Sequence, residues 1–289
     1  MSAAAQPHPK RVLIVDDDPA VLDLLRSALE RKKIDSTTCI SGAEALTVLG
    51  SSKFEVILLD LGLPDIYGLE LIHKLRDVAD GARIVIITAD TTSETLLRAI
   101  REQAFEYVRK PFDIHEVVDV VQRAGASSDE PAIEVHSAKP EWIELSIPCT
   151  HSAVDRIEHF IRQLIPSMPE EVSMQVTQAF RELVLNAVEW GGGLDPNHRV
   201  RVCCVYTSRL LLYRIADPGP GFRFDNLQHS AAVNGNGPFA MAEVRAEKGL
   251  RPGGFGIRLV QQIADELIYN EKQNEVILIK YLDQAPSND

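Results

Sequence analysis

Four short aliphatic runs near the start of the chain each stop at polar residues, and this narrows the fold more than any other feature. Val12–Val15 runs into Asp16 and Asp17, Val56–Leu59 into Asp60, Ile84–Ile87 into Thr88, and Tyr107–Arg109 into Lys110 and then Pro111. Amphipathic stretches of helical length separate them. Three carry capping-box spacing: Ser41 with Glu44, Thr91 with Glu94, and Asp113 with Glu116. Strands alternating with helices predict an α/β domain, a doubly wound parallel sheet with helices on both faces. In such a sheet the side chains that do chemistry gather at the carboxyl edge of the strands.

Asp16, Asp17 and Asp60 then converge on one pocket. Two carboxylates about 4 Å apart repel by about 4 kcal/mol at an effective dielectric of about 20. A divalent cation removes that cost, and hard oxygen ligands with open water positions suit Mg2+. A carboxylate nucleophile can form an aspartyl phosphate. Lys110 supplies a point charge for phosphoryl oxygens, and the Thr88 hydroxyl can bond the same group. An Asp just after a strand is ordinarily a turn or helix cap, and Asp18 and Asp65 read that way. Four strand ends with matched chemistry in this order read differently.

The segments Val-Leu-Ile-Val-Asp-Asp-Asp-Pro, Val-Ile-Leu-Leu-Asp-Leu-Gly-Leu-Pro, Ile-Ile-Thr-Ala and Tyr-Val-Arg-Lys-Pro-Phe resemble the response-regulator receiver family over residues 10–125. The resemblance implies Asp60 as phosphoacceptor and Asp16 and Asp17 as metal-site acids. It implies the main-chain oxygen of Gly62 as a further metal ligand, Thr88 and Tyr107 as a switch pair, and a cis Lys110–Pro111 bond. Tyr67 stands where an Asp is common and Gln103 where a Gly is usual; neither is expected to touch the pocket.

Residues 126–141 break the alternation. Ala-Ser-Ser-Asp-Glu-Pro and Ser-Ala-Lys-Pro read as a linker. Residues 142–289 follow a second pattern. A strand is expected at Trp142–Ile147, helices at Ser152–Ile165 and Glu170–Trp190, and strands at Arg199–Thr207 and Leu210–Ala216. A helix near Phe255–Tyr269 and a strand at Val276–Tyr281 complete it. This is an α+β sandwich with a mixed sheet. Glu182 and Asn186 lie four apart on one helix face, placed to flank a Mg2+-bound phosphate chain. In Ile-Ala-Asp-Pro-Gly-Pro-Gly-Phe, Gly219 and Gly221 permit a tight turn, and Asp217 can accept a hydrogen bond from an exocyclic amine. Gly253, Gly254 and Gly256 precede a helix whose free N–H groups and dipole favour an anion. No G-x-x-x-x-G-K-[ST] loop occurs.

Together these three signals resemble the Bergerat-fold ATP-binding family, which includes histidine kinase catalytic domains, and most closely the anti-sigma-factor serine kinases. The resemblance implies Asn186 as Mg2+ ligand, Glu182 as general base or orienter, and Asp217 as adenine reader. Gly219, Gly221, Gly253, Gly254 and Gly256 would line ATP, and Arg223–Arg251 would be a lid carrying Lys248 and Arg251. One departure falls at Glu189-Trp190-Gly191, where Glu-His-Gly is usual. Histidine kinases carry a two-helix hairpin with a phosphoacceptor His, and about sixteen residues between the domains leave no room for it.

The net charge of −12 argues against a nucleic-acid partner, since phosphate neutralisation needs clustered Lys and Arg. The aliphatic runs are strand-sized, so no membrane span is expected. Residues 1–10 lack the apolar core of a signal peptide. Cys39, Cys149, Cys203 and Cys204 form no C-x-x-C pair and suit a reduced, cytoplasmic setting. The expected partners are an upstream histidine kinase and a protein of anti-sigma or anti-sigma-antagonist type, with a homodimer left open. The leading expectation is a response regulator with an ATP-dependent serine-kinase-like output. The alternative is a module that binds ATP without turnover and sequesters a protein.

Overall fold

The computed structural model describes residues 11–79, 81–90, 92–126, 130–164, 168–221 and 256–282. The chain divides into two compact units, Met1–Glu130 and Pro131–Asp289.

The first unit runs β1 (Arg11–Val15), α1 (Pro19–Arg31), β2 (Asp35–Cys39), α2 (Gly42–Leu49), β3 (Val56–Leu59), α3 (Gly68–Val78), β4 (Arg83–Thr88), α4 (Ser93–Arg101), β5 (Glu106–Arg109) and α5 (Ile114–Ala126). All its described strand pairs are parallel, in the order β2-β1-β3-β4-β5. The aliphatic runs become β1, β3 and β4 because a parallel strand is buried on both faces. Val12, Ile14, Leu58, Val85 and Ile87 form one core with Leu25 and Leu29 of α1 and Val117 and Val121 of α5. Strand β2, Asp-Ser-Thr-Thr-Cys, sits at the edge and carries no aliphatic signal.

Local signals set the helix starts. Asp18 accepts the Ala20 N–H at 2.8 Å ahead of Pro19, a residue suited to the first helical turn. Ser41 caps α2 through the Glu44 N–H at 3.2 Å. For α4 the cap is Thr92, which accepts the Thr95 N–H, one residue beyond the expected Thr91; Thr91 itself lies outside the described residues. Gln103, where Gly is usual in the similar family, adopts φ 51°. The Lys110–Pro111 bond is cis.

The second unit runs β6 (Glu134–Lys139), β7 (Trp142–Pro148), α6 (His151–Leu164), α7 (Glu170–Asn186), a π-helical turn (Ala187–Gly191), β8 (Arg199–Tyr206), β9 (Leu210–Ala216), α8 (Gly256–Ile263), β10 (Glu266–Tyr269) and β11 (Glu275–Tyr281). Ile143, Leu145 and Ile147 of β7, Val202 of β8, Leu211, Tyr213 and Ile215 of β9, and Leu278 of β11 are buried with period two. Helices α6 and α7 contribute Ile157, Phe160, Phe180 and Val184. Phe180 packs on Tyr213 with ring centroids 4.6 Å apart, so α7 covers this face of the sheet.

Three expectations need correction here. The sheet order is β10-β11-β9-β8-β7-β6, and every described pair is antiparallel, so the sheet is not mixed. Part of the expected linker is β6, a strand paired with β7; its polar composition hid it, as at β2. The helix expected near Phe255–Tyr269 ends at Ile263, and Glu266–Tyr269 pairs with β11 as a strand. A short apolar run cannot be assigned to helix or strand by periodicity alone, and here the neighbouring strand decides.

Gly68 opens α3 directly over the carboxyl end of β3. A Cβ there would lie 2.6 Å from the Leu61 Cα and 2.7 Å from the Asp60 carbonyl oxygen, both backbone atoms that cannot swing aside. Gly68→Ala is therefore expected to destabilise the first unit by about 1–3 kcal/mol, read as a lower urea midpoint; an unchanged midpoint would refute this close approach.

Candidate functional site

Strand order reverses between β1 and β3, the crevice where open α/β sheets bind ligands. The ladder extends one residue past each strand: the Asp16 N–H donates to the Cys39 carbonyl at 3.1 Å, the Asp60 N–H to Val15 at 2.8 Å, and the Lys110 N–H to Thr88 at 2.8 Å. The sheet therefore fixes the backbone of Asp16, Asp60, Thr88 and Lys110. Asp16, Asp60 and Thr88 are buried and Asp17 is exposed. One oxygen from each of Asp16, Asp17 and Asp60 lies within 4.8 Å of the others. This all-oxygen donor set, open on the Asp17 side, fits a hard divalent cation.

Lys110 Nζ lies 2.6 Å from Asp16 Oδ2 and 3.3 Å from Asp60 Oδ2. Burial pushes the Asp60 carboxyl above the usual range, and the neighbouring Lys110 charge only partly opposes this. Burial works against the Lys110 charge, but hydrogen bonding to Asp16 and the Asp60 charge prevail, and its pKa is raised. The Leu61 N–H donates to Asp60 Oδ1 at 2.9 Å, leaving Oδ2 on the lysine side. Gly62 adds a backbone hydrogen bond to the Asp60 carboxylate.

Behind the pocket, Thr88 Oγ1 accepts the Asp90 N–H at 3.2 Å, and the buried Tyr107 hydroxyl donates to the Asp90 carbonyl. Burial, and then the charge of Asp90, push the Tyr107 hydroxyl up to about 12, so it stays a donor. The Asp90 carboxylate accepts from Thr95 Oγ1 at 2.7 Å and the Thr92 N–H at 3.0 Å at the start of α4. Tyr67, expected to stand apart from the pocket, reaches this network: its hydroxyl lies 3.4 Å from Asp90 Oδ2 and 3.5 Å from Thr95 Oγ1. Its hydroxyl makes these contacts with Asp90 and Thr95, not with Asp16, Asp17 or Asp60. Its ring replaces the acid common at that position and lies 5.8 Å from the Arg98 guanidinium.

In the second unit Asn186 is the last residue of α7 and Glu182 lies one turn before it. The π-helical turn that follows buries Glu189, whose carboxylate lies 3.3 Å from His151 Nε2, and leaves Trp190 at the surface. Such π-turns are frequent at functional sites. The turn also brings Gly191 against Asp217: a Cβ on Gly191 would lie 2.2 Å from the Asp217 Cγ. Only the Gly-Gly-Gly run at 191–193 signals this in sequence.

Asp217 follows β9 and caps its own turn, accepting the Gly219 N–H on Oδ1 at 2.8 Å. Burial raises its pKa, and the Gly219 hydrogen bond opposes the rise. Gly221 has φ 82°. Glu182 reaches the start of α8, where a Cβ on Gly256 would lie 2.1 Å from its Oε2. A half-buried carboxylate with one oxygen engaged can accept from an exocyclic amine, so this acceptor fits the adenine end of ATP. Gly253, Gly254 and the expected lid with Lys248 and Arg251 lie outside the described residues.

Comparison with known families fits both halves. Residues 12–122 match the response regulator receiver domain, and residues 147–280 match the histidine kinase-like ATPase domain. The chain thus carries the receiver domain of a two-component response regulator followed by a histidine-kinase-like ATPase domain. It is similar to the DNA-binding transcriptional regulator NtrC of Azospirillum brasilense, 34% identical over 121 residues, which are 42% of this chain and 25% of that one. It is also similar to the probable transcriptional regulatory protein TcrX of Mycobacterium tuberculosis, 34% identical over 114 residues, which are 39% of this chain and 49% of that one. Among solved structures, a CheY-like receiver domain protein from Methanospirillum hungatei is 27% identical with a TM-score of 0.40, covering 42% of this chain and 96% of its own. The chain spans a quarter to about half the length of the two curated relatives. Their names as DNA-binding or transcriptional regulators do not fit directly with the expected absence of a nucleic-acid partner. Among the described residues no helix is long and apolar enough to cross a membrane.

The carboxylate cluster makes a stability prediction. Mg2+ at about ten times its Kd is expected to stabilise the receiver by about 1.4 kcal/mol. Asp60→Asn removes one buried like charge, so it should raise the metal-free melting temperature at about pH 7 and shrink the Mg2+ gain. Because the folded-state pKa of Asp60 is raised, stability falls as pH rises through the carboxylate range. The variant's advantage therefore shrinks toward about pH 4. Melting followed by circular dichroism, with and without MgCl2 at both pH values, checks this; a variant less stable than wild type at neutral pH would contradict it.

Proposed function

We propose that an upstream histidine kinase phosphorylates Asp60 and that the second domain is an ATP-dependent protein serine/threonine kinase. Its substrate would be a regulatory protein of the anti-sigma or anti-sigma-antagonist type. The observation that carries the first step is the Asp16–Asp17–Asp60 cluster with Lys110 bridging it. In the reaction an Asp60 carboxylate oxygen attacks the phosphorus of the kinase's phosphohistidine. The P–N bond breaks, an acyl phosphate forms, and the imidazole leaves. Asp16, Asp17 and the main-chain oxygen of Gly62 would hold Mg2+ beside Asp60. The cation would neutralise charge on the transferring group.

Lys110 would move its ammonium from the Asp16–Asp60 bridge to a phosphoryl oxygen, and Thr88 would turn its hydroxyl to another. Thr88 now accepts the Asp90 N–H, so turning it releases the loop that Tyr107 and Thr95 also hold. The input would thereby reach α4 and β5.

In the second domain Asp217 would read the adenine amine and Asn186 would hold the Mg2+ bound with ATP. Glu182 would orient or deprotonate the acceptor hydroxyl. A second reading, ATP binding without turnover and sequestration of a partner, is favoured by Trp190 in place of the usual His. The two phosphate chemistries are separate: the aspartate is loaded from phosphohistidine, and the ATP serves the output.

Incubation with γ-labelled ATP, Mg2+ and candidate partner proteins tests the output. Acid-stable label on a partner Ser or Thr is expected, with ATP affinity falling about ten- to hundredfold in Asp217→Asn. Tight ATP binding with no transfer would select the second reading. A phosphohistidine donor is expected to place acid-labile label on wild type and none on Asp60→Ala; label persisting on that variant would move the phosphoacceptor elsewhere.

A further inference from the structure

The loop Asp217-Pro218-Gly219-Pro220-Gly221 has few ways to be held. Pro218 and Pro220 have no N–H. The Gly219 N–H is spent on Asp217 Oδ1. Among the main-chain groups that remain are the Asp217 N–H and the carbonyls of Asp217 and Gly219. One residue takes all three. Asn274, in the turn between β10 and β11, accepts the Asp217 N–H on its carbonyl at 2.9 Å. Its side-chain Nδ2 donates to the Asp217 and Gly219 carbonyls, each at 3.2 Å.

The amide of Asn274 is itself oriented. Asn270 Nδ2 donates to Asn274 Oδ1 at 2.8 Å, which turns the Asn274 NH2 toward the loop. Asn270 Oδ1 accepts the N–H of Asn274 at 3.1 Å and of Glu275 at 3.3 Å. The same turn shapes the end of the loop. Gly221, at φ 82°, packs so closely on the Lys272 carbonyl that a Cβ would lie 1.6 Å from its oxygen.

We propose that Asn274 is a positioning residue for nucleotide recognition, holding the Asp217–Gly221 loop so that the Asp217 carboxylate faces the exocyclic amine of an adenine base. The inference rests on the reading of this site as an ATP site, and it adds a base-selectivity role for the β10–β11 turn. Asn274 needs no contact with ATP. Two carbonyls clamped by one NH2 fix the Asp217–Pro218 and Gly219–Pro220 peptide planes, and the Gly219 N–H in turn fixes which oxygen of Asp217 is free. Loss of the clamp lets the carboxylate rotate, so discrimination suffers more than overall affinity.

The test compares ATP with inosine triphosphate, which carries a carbonyl in place of the amine. Calorimetric titration of the full chain with each, in Mg2+, gives the preference of wild type. Asn274→Ala is expected to lower the ATP-to-inosine triphosphate preference about tenfold. Asn274→Asp, close in shape but facing two carbonyls with a carboxylate, should lower it at least as much. In an Asp217→Asn background neither change should alter the preference further. Asn270→Ala, which unlocks the amide but keeps its donor, should give a smaller shift in the same direction. It also serves if an Asn274 variant does not fold. Equal loss of affinity for both nucleotides would make Asn274 merely structural and overturn the proposal. So would a wild-type preference that survives in the Asn274 variants, which overturns the inference alone. A wild type that binds neither nucleotide, or both alike, overturns the adenine reading and this inference together.

Discussion

The first domain depends on holding like charges together. The reversal of strand order between β1 and β3 places Asp16, Asp17 and Asp60 at one edge, and ladder bonds from Asp16 and Asp60 keep them from drifting apart. Solvation could relieve the repulsion, but Asp16 and Asp60 are buried. What relieves it within the chain is the Lys110 ammonium, lodged between the two buried carboxylates. Folding energy from the aliphatic core thus maintains an electrostatically unfavourable pocket, the usual relation between a site and its scaffold.

That frustration gives the pocket its reach. Lys110 and Thr88 are both engaged, the one with carboxylates and the other with the Asp90 N–H. Any anion that recruits them has to break those bonds. Asp90 spreads the consequence, because its backbone and side chain bond Thr88, Tyr107, Thr92, Thr95 and, through a longer contact, Tyr67. Tyr67 shows how a departure from a family pattern can be absorbed. The position stops being an acid near the pocket and becomes a hydroxyl at the rim of the Asp90 network.

The second domain solves a different problem. Its carboxylate Asp217 sits in a loop with two prolines, which leave it few N–H groups of its own, and the Gly219 N–H is already used on Asp217. Support comes from elements far away in sequence: Gly191 at the end of a π-helical turn, and Asn274 in a hairpin turn. Glu182 meets the start of α8 in the same manner, across the fold. The site is assembled from α7, the end of β9, α8 and the β10–β11 turn, so local sequence describes its parts without the joints.

The sequence alone was sufficient for the receiver's pocket. Parallel strands buried on both faces must read as aliphatic runs, and the residues at their ends must lie at the carboxyl edge, so Asp16, Asp60, Thr88 and Lys110 were legible as a set. It also marked the separate sheet domain and the Asp217 turn, because glycines and prolines leave local signatures. Tertiary structure alone decided the polar strands β2 and β6 and the short apolar strand β10, which are strands because a neighbour offers its ladder, and the wholly antiparallel described pairing of the second sheet. It likewise decided the roles of Tyr67, Gly191 and Asn274. Each acts on a group distant in the chain, from 23 residues between Tyr67 and Asp90 to 57 between Asn274 and Asp217. Hydrogen bonds and close approaches over such separations depend on how elements pack, and no pattern local to these residues encodes that packing.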